Sequence, residues 1–290
     1  MFFGTLCFAL MQSLIKFVAA DEVNPMHPFE IAFFRNLFGV VALLPLLVRG
    51  GRSAFKCARP GLHMVRALIQ TAGMLSFFMA VTMIPLAEVT SLSFSAPLFA
   101  TLLAVIMLGE RIRLRRIVAL LAGFVGVLVV LRPGFSELSD GALLAIGASL
   151  CWGVAMTIIK TLSRTDSALT LTLYAGMYLA VLTAIPAAFY WTTPTTEQLI
   201  WLLGIGTVGT IGHLAFAQSL KVAEMSAVLP LDFMRLVWVS AIGFWIFAET
   251  PTLYTWGGGL LIFGSATYIA VRETHLARAA AKSEARAAAK

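Results

Sequence analysis

The chain has 290 residues, of which 60% are hydrophobic and only 12% charged, and its mean hydropathy is +0.91. A soluble domain is excluded, because water would meet too much apolar surface; the composition is that of an all-α integral membrane protein. The formal net charge of +7 does not imply nucleic acid, because the cations lie in loops on one side of the predicted spans.

Ten apolar runs are predicted as helices, near residues 2–20, 28–48, 62–84, 86–109, 115–132, 139–160, 168–191, 197–219, 225–248 and 253–271. Each is long enough to cross a hydrocarbon core of about 30 Å, and a helix satisfies its backbone hydrogen bonds internally. Turn and charge clusters such as DEVNPMHP at 21, GERIRLRR at 109 and RPGFSELSD at 132 separate them, with no room for a soluble domain.

Sixteen of the 21 Lys and Arg residues fall after spans 2, 4, 6 and 8 or in the C-terminal tail, whereas the opposite loops carry only Arg132. Positive loops stay inside, so both termini are expected in the cytoplasm of a multi-pass inner-membrane protein. The first span lacks a basic n-region and a cleavage pattern and is read as a retained helix. Cys7 and Cys151 lie in spans and Cys57 in a loop, a spacing that suggests neither a metal site nor a disulfide framework. They read as small apolar packers.

LCFALMQSLIK at 6–16 is nearly repeated as LCWGVAMTIIK at 150–160, and the match continues from Phe77–Glu110 to Ala215–Glu249 with one inserted residue. The chain is therefore expected to hold two five-helix repeats, 1–134 and 135–272, with a cationic tail at 273–290. Five is odd, so the second repeat enters from the opposite side, and two inverted bundles can enclose a cavity near the midplane.

Intramembrane polar groups need a reason, because a charge there costs at least ~2.5 kcal/mol on insertion scales. In span 1, Gln12 is a candidate for orienting a ligand or for interhelical bonding, and Lys16 reads as an interfacial anchor. In span 2, Arg35 can touch substrate or pair with a neighbour. Gln70 and Phe77 follow on span 3. Within SLSFSAP of span 4, Phe94 offers an aromatic face, Ser95 a hydroxyl and Pro97 a hinge. Trp152 of span 6 is another ring able to stack a planar ligand or merely pack. The lone His213 of span 8 is a proton-coupling or packing residue. On span 9, Asp232 and Arg235 are three apart and can pair with each other or with a zwitterionic ligand, and Pro230 is a second hinge. Glu110 and Glu249 close equivalent spans and are read as structural. GIGTVG at 204–209 fits a dinucleotide-loop pattern but no strand precedes it, so Gly206, Gly209 and Gly212 are predicted as a ridge for close helix packing. No HExxH, G-x-S-x-G or paired-carboxylate array is present; no catalytic residue, metal or cofactor is assigned.

HPFEIAFFRNLFGVVALLP, SFSAPLFATLLAVIMLGE, LLAGFVGVLVVLRPG, ASLCWG and the closing FAE resemble the EamA branch of the drug/metabolite transporter superfamily over almost the whole chain. HPFEIAFFR and SAPLF are most similar to bacterial S-adenosylmethionine uptake carriers, with riboflavin and amino-acid-metabolite carriers as further relatives. The resemblance implies a permease for a small organic metabolite, working by alternating access within the lipid bilayer. The rival reading is an integral membrane enzyme or lipid-modifying protein. Oligomeric state, coupling and direction of transport are not legible.

Overall fold

The structure, a computed structural model, describes residues 2–21, 24–50, 57–108, 114–132, 139–162, 165–166, 168–222, 231–232 and 234–288. All regular elements among them are α-helices: α1 Phe2–Ala19, α2 Pro28–Gly50, α3 Pro60–Met83, α4 Leu86–Ser93, α5 Ala96–Leu108, α6 Leu114–Leu131, α7 Asp140–Leu162, α8 Ala168–Phe189, α9 Thr196–Val222, α10 Met234–Phe247 and α11 Leu253–Ala288. Pro28 and Pro60 open their helices, where a missing N–H costs nothing. Six described segments are long and apolar enough to cross a membrane: Phe2–Ala19, Pro60–Met83, Leu86–Leu103, Asp140–Ile159, Thr170–Phe189 and Thr196–Ala215. Two differences from expectation stand out. The predicted fourth span is two helices, α4 and α5, and α11 runs past residue 272 to Ala288 without a break.

The α4–α5 break follows from SFSAP. Pro97 has no N–H to return to Ser93, and the chain tightens, with Phe94 N donating to Ser91 O (3.3 Å) and Ser95 N to Leu92 O (3.0 Å). Hydroxyls take up the strain on the remaining carbonyls: Ser95 Oγ and Ser149 Oγ of α7 both donate to Leu92 O (2.7 and 3.1 Å), and Ser93 Oγ donates to Thr90 O (2.7 Å).

Polarity is distributed as a bilayer demands. Leu114, Val118, Leu121, Val125 and Leu128 form an exposed apolar stripe along α6, whereas Thr5, Gln12, Asn36, Thr90, Ser91, Ser95, Ser149 and Thr183 are buried between helices. The helices pack α3 on α7, α6 on α11, α1 on α9, α2 on α8 and α9, α5 on α7, and α1 on α10. Small residues allow the closest crossings. A Cβ on Gly206 would sit 2.6 Å from Phe38 Cβ and 3.2 Å from Arg35 O, and one on Gly73 would sit 2.8 Å from Cys151 Cβ. The predicted α9 ridge therefore packs on α1 and α2, since Gly209 faces Met11 and Gly212 faces Cys7.

Candidate substrate-binding site

Four helices bring charged and aromatic groups together within the bundle. Arg35, seven residues and ~10 Å along α2 at 1.5 Å per residue, donates from Nη1 to Asn36 Oδ1 (2.7 Å). Its Nη2 lies 3.0 Å from His213 Nε2 of α9. Asn36 is itself fixed by donating to Met74 Sδ of α3 (3.3 Å) and Thr183 Oγ1 of α8 (3.4 Å). The guanidinium is thus aimed by a braced neighbour, which suits a group that must meet a ligand in one orientation.

His213 stands edge-on to Phe8 of α1, with ring centroids 5.0 Å apart. A second guanidinium, Arg235 of α10, lies 6.0 Å from the Phe8 ring and 5.0 Å from Phe94 at the α4–α5 break. Phe94 in turn meets Phe263 of α11 edge-on at 5.5 Å. Arg235 pairs with Asp232 at 3.3 Å, as the three-residue spacing predicted. Arg35 and Arg235 are half-buried and His213 is exposed, so these groups border accessible space. The arrangement offers two cations, one carboxylate and ring faces.

The other predicted residues are distributed differently. Gln12 Oε1 accepts from Thr90 Oγ1 (2.9 Å), a link between α1 and α4. Phe77 and Trp152 form a separate aromatic pair, 4.9 Å apart, in the α3–α7 interface. Gln70 Oε1 is buried there with no hydrogen-bond partner among the described residues. Ser95 is turned onto Leu92 O, and Pro97 sits at the start of α5. Pro230 and Glu110 lie outside the described residues. Phe8 is the member that sequence reasoning passed over; its alignment with Trp152 in the internal repeat was the available signal. An open groove of about 300 Å³, lined by Leu114, Val118, Ala119, Ala122 and Tyr268, lies on the apolar flank of α6 and α11 and is a bilayer-facing crevice apart from this cluster.

One end of the bundle is closed by Glu249. One carboxylate oxygen binds Lys16 Nζ of α1, and the other accepts from the Leu86 amide (2.8 Å), an otherwise orphan N–H at the start of α4. Lys16 also donates to Ile84 O (3.0 Å) at the end of α3. Lys16 is therefore a crosslink between helices.

The EamA-like transporter family model matches residues 1–132 and again 139–271. The chain belongs to that family. The S-adenosylmethionine uptake transporter of Rickettsia bellii (strain RML369-C) is 31% identical over 266 residues, covering 90% of this chain and 91% of the relative. The riboflavin transporter of Brucella anthropi is 29% identical, covering 86% of this chain and 90% of that protein. A solved structure titled "Crystal structure of protein" superposes with a TM-score of 0.61 at 19% identity, covering 92% of this chain and 96% of its own, which speaks to the fold alone. This EamA-like protein is a multi-pass membrane permease for a small metabolite, and both named relatives are transporters.

Proposed function

We propose that this permease carries S-adenosylmethionine, or a metabolite that likewise joins a planar ring to a zwitterionic amino-acid end, through a site built from Phe8, Arg35, Phe94, His213, Asp232 and Arg235. The observation that carries the reading is that Arg235 lies over the rings of Phe8 and Phe94, while Arg35 reaches the same cluster through His213, which stands edge-on to Phe8. Guanidinium groups suit the carboxylate, Asp232 suits the cationic end, and the aromatic faces suit a flat heterocycle. Phe77, Trp152, Gln70 and Gln12 support this site from neighbouring interfaces.

The chain works as two inverted five-helix halves, 1–134 and 135–272, with a tail at 273–290. Two observations support this: the family model matches twice, and the packing is reciprocal, α1 on α9 and α10 being mirrored by α7 on α3 and α5. With basic loops and both termini in the cytoplasm, Lys16 and Glu249 lie at the outer face. Rocking about the Phe94–Ser95 break, with Pro97 and Pro230 as hinges, exchanges access between the two sides.

The test is counterflow in proteoliposomes loaded with radiolabelled S-adenosylmethionine, with riboflavin and amino acids as competitors. Exchange is expected, falling at least ~10-fold in Arg35→Gln and Phe94→Ala, as for loss of a charge-assisted or stacking contact. Exchange of riboflavin alone would overturn the substrate assignment, and unchanged exchange in both variants would overturn the site.

A further inference from the structure

At the opposite end of the bundle from Glu249, three ligand-type side chains meet from distant parts of the chain. Cys57 lies just before α3, His63 in its first turn, and Asp166 in the α7–α8 connection. Their donor atoms all lie within 4.8 Å of one another. His63 Nε2 is 2.8 Å from Asp166 Oδ2, with both side chains 1% exposed, and Cys57 Sγ is 3.9 Å from the same oxygen. We propose that Cys57, His63 and Asp166 form a binding site for a zinc-class divalent cation.

The distances fit such an ion. Zinc bonds of about 2.0–2.3 Å at tetrahedral angles separate donor atoms by roughly 3.3–3.7 Å. His63 and Asp166 need to part by about half an ångström, and Cys57 to close by roughly 0.4 Å toward Asp166 Oδ2 and by up to about 1.3 Å toward His63, which side-chain rotation supplies. Asp166 is already oriented: the Ala58 amide donates to Oδ1 (3.1 Å), leaving Oδ2 directed at the imidazole and the thiol. The Tyr174 ring lies 5.1 Å from that of His63 and limits its movement. Cys57 is half-buried, so a fourth position can be taken by water.

Charge favours a cation over a simple loop latch. The Asp166 side chain is 1% exposed, and a divalent ion neutralises a buried carboxylate directly. On binding, the Cys57 thiol gives up its proton to solvent and the ion takes its place between sulfur, nitrogen and oxygen. Thiolate plus imidazole selects zinc, cobalt or nickel over magnesium and calcium. Because Cys57 lies just before α3, His63 in its first turn and Asp166 just after α7, the ion ties the start of α3 to the α7–α8 connection.

The experiment adds Co²⁺ to the purified, metal-stripped full chain in detergent and reads the near-ultraviolet thiolate-to-cobalt band, then displaces Co²⁺ with Zn²⁺. One equivalent is expected to produce the band, Zn²⁺ to abolish it and to raise the unfolding temperature. The double variant Cys7→Ser/Cys151→Ser should retain the band. Cys57→Ser should lose it and bind at least ~100-fold more weakly, since loss of even a supporting residue costs 10–100-fold; Asp166→Asn should weaken it similarly. Absence of the band, cobalt bound without it, or a band that survives Cys57→Ser would overturn the proposal. Cys57→Ser keeps the side-chain volume at a half-exposed position, so the test stands even if Asp166→Asn fails to fold.

Discussion

Lys16 and Glu249 are 233 residues apart in the chain and form a direct ion pair, with side chains only 15% and 12% exposed. The same carboxylate caps α4 at Leu86, so one residue joins α1, α4 and the α10–α11 turn. Lys16→Met leaves a poorly hydrated carboxylate and should cost about 3 kcal/mol of stability, whereas Lys16→Met/Glu249→Met should recover much of that loss. Thermal unfolding of the four proteins in one detergent provides the cycle. In the transport cycle, either single variant should increase labelling from outside of cysteines introduced near Phe8.

Gly206→Ala places a methyl 2.6 Å from Phe38 Cβ and 3.2 Å from Arg35 O, on backbone and branch-point atoms that cannot simply rotate away. We expect a loss of 1–3 kcal/mol, roughly the range for overpacking, together with lost substrate exchange as α9 carries His213 away from Arg35. Gly204→Ala, two residues earlier with nothing within 4 Å, is the control and should be neutral or stabilising by up to about 1 kcal/mol through helix propensity. Equal losses in both would refute the packing account.

Ala248 ends α10 with φ of 54°, and Glu249 N then donates back to Gly243 O (3.0 Å). That is a left-handed helix cap occupied by a residue with a Cβ, which costs about 1–2 kcal/mol relative to glycine. Ala248→Gly should raise the unfolding temperature and leave transport intact, because Ala248 is exposed. A lowered temperature would show that the cap is not strained.

His27 stacks on Tyr190, with centroids 3.9 Å apart and planes within 8°, and its Nδ1 accepts from the Phe29 amide (3.2 Å). Burial pushes its imidazole below the usual histidine range, with Glu30 opposing the shift. The folded value lies below the unfolded one, so the unfolded chain takes up the proton first as pH falls. Stability should be full above about pH 6.5 and decline as pH falls through the folded value. His27→Phe keeps the stack and removes the proton; its unfolding temperature should vary less between pH 7.5 and 5.5. An identical slope in both proteins would assign the acid sensitivity elsewhere.

Much of the architecture was legible because bilayer physics writes long, local signals. The six long apolar segments, the Gly206–Gly209–Gly212 ridge and the weak point at Pro97 are all periodic or single-residue features. The site was half legible. Asp232 and Arg235 could be paired by helical spacing, but nothing local links Arg35 to His213 or brings Phe8 beneath Arg235. The carboxylate partner of Lys16 was not legible, because a lysine near a span end has the same sequence signature whether it snorkels or finds a carboxylate. The Cys57, His63 and Asp166 cluster escaped notice because its third member is over a hundred residues away.

The polar groups of α2 have partners that are made late. Asn36 donates to Thr183, Arg35 meets His213, and Glu30 accepts from Thr192, separations of 147, 178 and 162 residues. During synthesis, α2 must therefore enter the bilayer before Glu30, Arg35 and Asn36 have met these partners, and its final seating waits until α8 and α9 have emerged from the ribosome. Chains that stall before residue 213 hold α2 without all of these cross-links in place.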